Sequence, residues 1–233
     1  MNGMSRTSVL RLFIAVVAMG GLAVLAAAGF RWQDDDMGLI VALAGLAVIC
    51  ELLDFGTFPN SRVSLSVGAI VAAAVVGSFT GIAIVCTAAV GAQYLAHRKP
   101  LFKVAFNEGA LLVSGAAVVG VFEAFGTGFA ARDWPDVMAP ALVAGVVYFA
   151  INSGLVAVAI SIDKGINPVS VWSDAFSWLA PHYVLVSLLA VAVATAFDAW
   201  GLVGIALPLV PLAMAWIIVK QYADRAQPAD AAA

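Results

Sequence analysis

Two carboxylates stand where an apolar chain would rather have none. Glu51 closes one hydrophobic run, and Glu108 sits about two turns into another, directly after Asn107. Around them the sequence scatters a small set of groups able to bind, donate or relay a proton: Asp54, Gln93, Tyr94, His97, Asn152 and His182. Ionisable side chains inside a bilayer are costly. They pair with one another, face the interior of a bundle or line a pathway. Glu51, Asn107, Glu108, Asn152 and His182 are therefore the candidate ligand-binding residues. Glu108 leads the set, because Lys103 lies five residues away, a poor helical pairing. Each has a plainer reading beside it: Asp54 and His97 as solvated helix ends, Asn152 as interhelical glue, His182 as a local hydrogen-bonding residue, Glu51 as half of a structural pair.

Other chemistries lack their parts. Ser66, Ser114 and Ser153 have no histidine at helical spacing, so no nucleophile–base pair is visible. His97 and His182 are the only histidines, and no ligand spacing joins them to a carboxylate. No metal and no cofactor is expected. Cys50 and Cys86 lie within apolar runs and read as small packing residues. Asp34-Asp35-Asp36 reads as a solvated loop rather than a cation loop.

What must position these residues is a membrane. The 233 residues are 64% hydrophobic and 11% charged, with mean hydropathy +1.05. Soluble domains carry roughly 25% charged residues. The chain is expected to be an all-α, polytopic membrane helix bundle whose first partner is the lipid bilayer. A net charge of -3 and the lack of any recognition motif argue against nucleic acid.

The stretch from Pro59 to Phe106 sets the topology. Two short apolar runs, Leu65 to Val76 and Ile82 to Ala96, meet at Gly77-Ser-Phe-Thr-Gly81 and lead into His97-Arg98-Lys99-Pro100. As one helix they would measure about 48 Å, too long for a core of roughly 30 Å. Read as a Gly-broken hairpin, they bring the chain to about eight spans. Arg6, Arg11, Arg62, Arg98, Lys99, Lys103, Lys164, Lys220 and Arg225 then share the cytoplasmic side, against Arg31 and Arg132 outside. That asymmetry obeys the positive-inside rule; merging the hairpin would reverse it. Both termini are expected in the cytoplasm of a bacterial inner membrane. The short hairpin spans are expected to be re-entrant or buried among the others.

The domain reading is a polar tail over residues 1–11, one transmembrane domain over residues 12–219 and a short cytoplasmic tail over residues 220–233. The first run, Leu12 to Phe30, has the basic start and small-residue end of a signal peptide, but is also long enough to stay as a first span. The others run from about Met37 to Leu53, Leu101 to Phe125, Val137 to Ile162, Pro181 to Phe197 and Leu202 to Ile218, the last kinked by Pro208 and Pro211. Ser170 to Leu179 reads as an interfacial helix.

Several of these stretches carry a resemblance. Arg62-Val-Ser-Leu-Ser66, Pro100-Leu-Phe-Lys-Val-Ala-Phe-Asn107, Tyr148-Phe-Ala-Ile-Asn152, Trp172 and Leu179-Ala-Pro181 resemble the multi-span sensory region attached to bacterial HD-GYP phosphodiesterases and GGDEF diguanylate cyclases. The similarity covers about Leu39 to Tyr222. It implies a membrane-embedded signal-input module. No HD or GGDEF motif is present, so catalysis is not carried over and the expected chain is not an enzyme. The expected function is a sensory, small-molecule-binding module acting on a cytoplasmic or membrane protein partner. A small-solute transporter or carrier subunit, or a structural subunit of a membrane complex, are the rival readings.

Overall fold

The computed structural model describes residues 5–30, 37–52, 66–76, 79–126 and 135–204. They form eight α-helices: α1 Arg6–Phe30, α2 Met37–Leu52, α3 Ser66–Val76, α4 Phe79–His97, α5 Leu101–Ala124, α6 Met138–Lys164, α7 Pro168–Ala175 and α8 Ala180–Trp200. A 3₁₀ turn, Ser177–Leu179, joins the last two. The fold is all-α. In hydrocarbon only a helix satisfies its backbone within one segment, and long Val, Ile, Leu and Ala runs leave no alternative.

Five helices are long and apolar enough to cross a membrane among the described residues: α1, α4, α5, α6 and α8. The helices α2 and α3 are apolar but shorter. Large apolar side chains such as Leu12, Val16, Met19, Val41 and Leu185 lie on the outside, which lipid solvates and water would not. The chain is thus a multi-pass membrane protein. The expected eighth span, with Pro208 and Pro211, lies outside the described residues beyond position 204, as do Asp54 and Arg62.

α3 is the centre of the bundle. Its 11 residues rise about 16 Å, half a bilayer core. Ala69, Ile70, Val71, Ala72 and Ala74 are at most 1% exposed. Helices α2, α4, α5, α6 and α8 all touch it. The expectation that a hairpin span would be buried among the others is thus met by α3. Small side chains let five neighbours approach one short helix. The helix break falls slightly earlier than Gly77-x-x-x-Gly81 implies: α4 starts at Phe79, and Gly81 is buried in its first turn.

α1 lies at the edge and crosses α5 diagonally. A Cβ on Gly109 would meet the Val17 carbonyl, and one on Gly21 would sit 2.6 Å from the Gly109 Cα. The two backbones meet there with no side chain between them. One end of α1 reaches α4, where Thr80 Oγ1 donates to the Ala28 carbonyl at 3.3 Å. The other end leans on α6: the Arg6 guanidinium covers Gly165, which ends α6 at φ 70°. A cation suits the carbonyl-rich end of a helix. The helix begins earlier than the apolar run suggests, taking in Arg6 to Arg11, because Ser5 caps it: Ser8 N donates to Ser5 Oγ at 3.2 Å.

Candidate functional site

The end of α2 meets the start of α3, and the end of α4 meets the start of α5. At one end of the bundle this gathers the ends of α2 and α4 with the starts of α3, α5 and α8. Polar groups near these termini line an open cavity of about 210 Å³. Its walls include Glu51, Gln93, Lys99, Asn107, Asn152 and Tyr183, while Val67, Leu111 and Val156 give it an apolar side.

Glu51 anchors the polar wall from the last turn of α2 and is 8% exposed. Ser66, the first residue of α3, donates its hydroxyl to Glu51 Oε1. Gln93 of α4 donates Nε2 to Glu51 Oε2 at 2.9 Å. The Gln93 amide is thus turned with its nitrogen toward Glu51 and its oxygen away. That oxygen receives Lys99 Nζ at 3.0 Å and Asn107 Nδ2 at 3.2 Å. Ser66, Lys99 and Asn107 thus point, directly or through Gln93, toward Glu51. Arg98 brings Lys99 back to the wall. It takes φ 48°, a left-handed conformation more usual for glycine, and donates its N–H to the Tyr94 carbonyl at 2.8 Å, ending α4.

The opposite wall comes from α6 and α8. Asn152 of α6 and Tyr183 of α8 both line it. The Tyr183 ring stacks on Tyr148 with centroids 6.1 Å apart and tilts against Phe149 at 4.9 Å. Phe149 meets Trp172 of α7 at 5.7 Å, and the Trp172 indole N–H donates to Ser153 Oγ at 2.8 Å. The short helix α7 thus folds back along α6 and braces its cavity-bearing turn. Asn167 caps α7 by accepting from Val169 N at 2.8 Å, with Pro168 in the first turn.

Of the expected site residues, Glu51, Asn107 and Asn152 come together in this cavity, with His97 also on its wall. Glu108 does not join them. It accepts from Thr87 Oγ1 at 2.8 Å on a part-exposed flank of α4 and α5, away from the cavity. Successive helical residues point about 100° apart, so Asn107 facing the cavity turns Glu108 out of it. His182 lies in the first turn of α8, and its side chain falls outside the described residues. Ser66, Lys99 and Tyr183 enter the site without having been singled out for it. Lys99 is legible in sequence only as a topology-setting charge. Cys50 and Cys86 are buried free thiols, as packing residues should be, although Cys50 also reaches the cavity.

Comparison with known proteins finds the MASE9 family model matching residues 35–224. The match takes in every helix that lines the cavity and leaves α1 outside. No curated protein matches. No solved structure matches either.

Proposed function

Because the chain belongs to the MASE9 family, whose kind are membrane-associated sensory regions of signalling proteins, we propose that it is a non-catalytic sensory module that binds a small molecule in the cavity between α2 and α8 and passes its occupancy to a signalling partner. The observation that carries this reading is the convergence of Glu51, Gln93, Lys99, Asn107, Asn152 and Tyr183, from five helices and the turn between α4 and α5, onto one cavity. Polar groups are expensive in a bundle this apolar. Gathering them at one solvent-sized space is what a binding site requires and what packing alone does not. The cavity faces the cytoplasm of a bacterial inner membrane in this reading. In support, Arg6, Arg11, Arg98, Lys99, Lys103 and Lys164 all lie at the cavity end of their helices, and the described residues hold no lysine or arginine at the other. The resemblance to sensory regions of cyclic-dinucleotide enzymes suggests the class of output this input would control.

Native mass spectrometry of the full chain, extracted gently from its own membrane, tests the reading. A small molecule retained by the native protein and lost from Glu51→Gln supports it. An empty cavity with a protein subunit bound overturns it in favour of a structural role.

A further inference from the structure

Gln93 occupies the polar wall like a resident ligand. Its amide nitrogen donates to an acidic group, Glu51, at 2.9 Å. Its oxygen, about 2.2 Å across the amide, accepts from a basic group, Lys99, and from the Asn107 amide at 3.0 and 3.2 Å. The wall is thus built to hold one donor and one acceptor side by side, with a negative side chain for the donor and a positive one for the acceptor. A free α-amino acid presents the same pattern with full charges. Its ammonium and carboxylate oxygen stand about 2.7 Å apart, and each would meet a side chain of opposite charge, adding ion pairing to the hydrogen bond that the neutral amide makes.

We infer that the cavity recognises a small zwitterionic amino acid, whose ammonium takes the Glu51 side and whose carboxylate takes the Lys99 and Asn107 side in place of the Gln93 amide. This rests on the sensory reading above and names its ligand class. Exchange of Gln93 for such a ligand keeps the wall itself paired: Glu51 keeps a donor, Lys99 and Asn107 keep an acceptor, and the freed Gln93 amide turns to the open side of the cavity. The ligand's side chain then lies against Val67, Leu111 and Val156. Size sets the upper limit. About 210 Å³ holds roughly seven water-sized groups at about 30 Å³ each, which suits alanine or valine. It falls short of the roughly 300 Å³ at which drug-sized pockets begin, so the smaller amino acids fit it best. The exchange also supplies a switch, because Gln93 belongs to α4 and must swing aside when the ligand enters.

Isothermal titration calorimetry of the purified full chain with L-alanine, L-valine, L-tryptophan, isovalerate and isobutylamine tests the inference. Isovalerate lacks valine's ammonium, and isobutylamine lacks its carboxylate. The expected result is binding of alanine or valine, no binding of tryptophan, and about tenfold or weaker binding of each one-charge analogue. Lys99→Met and Glu51→Gln should each weaken valine by a similar factor. Gln93→Ala should tighten it several-fold, because it removes the competitor. Equal binding of valine and isovalerate or isobutylamine would overturn recognition of both charges. Weaker valine binding by Gln93→Ala would overturn the exchange. If no amino acid binds while native mass spectrometry still finds a different small molecule, the ligand class falls and the sensory cavity stands; if nothing is retained, both fall.

Discussion

Glu51 and Glu108 are the same side chain in two apolar helices, and the bundle treats them differently. Glu51 is buried, accepts from Ser66 and Gln93, and through Gln93 draws in Lys99 and Asn107. Glu108 is half-buried and accepts from Thr87, itself exposed on the flank of α4. The first organises side chains from α2, α3, α4 and α5; the second links two helices. A carboxylate in a membrane helix therefore marks a site when its partners belong to a connected set converging on a space. With one hydroxyl across a groove it is a local contact.

The sharpest way to break this comparison is to delete the better-connected acid. Glu51→Ala takes from the Ser66 hydroxyl and the Gln93 amide the acceptor they share, and hydrogen bonds to charged groups contribute about 1.5–3 kcal/mol each. We expect a loss of about 3 kcal/mol in reversible unfolding from mild detergent by a denaturing one. Glu51→Gln should lose less, since its oxygen still accepts one of the two donors. A loss for Glu51→Ala no larger than for Glu108→Ala would show that the two acids are equivalent.

A second substitution separates the two regions. Gly109 is the crossing point of α1 and α5, next in sequence to Glu108, and its missing Cβ would collide with the Val17 carbonyl oxygen. Gly109→Ala should push α1 off α5 at about 1–3 kcal/mol, the usual range for overpacking. Helices α2 to α8 keep the cavity between them. The expected signature is a weakened cysteine crosslink between positions 20 and 113 with cavity binding retained. Equal loss of binding would mean that α1 and the cavity are one unit.

Much of this was legible in the chain because the bilayer leaves few choices. The runs from Met37 and Leu101 end within a residue of α2 and α5, since an apolar run in lipid must be helical until polar residues release it. Hydropathy cannot separate a helix facing lipid from one encased by protein. The central place of α3 rested on its shortness, and its five neighbours emerge only in three dimensions. The cavity was half legible: the expense of polar residues in spans picked out Glu51, Asn107 and Asn152. Azimuth was not legible. Asn107 and Glu108 look alike in sequence, and only the placement of α4 and α6 around α5 decides which one faces the cavity. Gln93 was visible as one polar residue among several. Its central role follows from having Glu51 on one side and Lys99 on the other, residues 42 and 6 positions away.

The smallest expected effect is the most discriminating. Glu108→Gln keeps an oxygen to accept from Thr87 at nearly the same geometry, so its cost should be near the average for a polar contact between membrane helices, about 0.6 kcal/mol. A double-mutant cycle with Thr87→Val should give a coupling energy of that size, because the pair stands apart from the cavity and shares no hydrogen-bond partner with Gln93. Ligand binding should be unchanged in both single variants. A tenfold change in binding on Glu108→Gln would connect the flank to the cavity and erase the distinction between the two acids. An unchanged affinity together with a small coupling to Thr87 would leave Glu108 as a contact that holds α4 to α5, and Glu51 as the acid on which recognition turns.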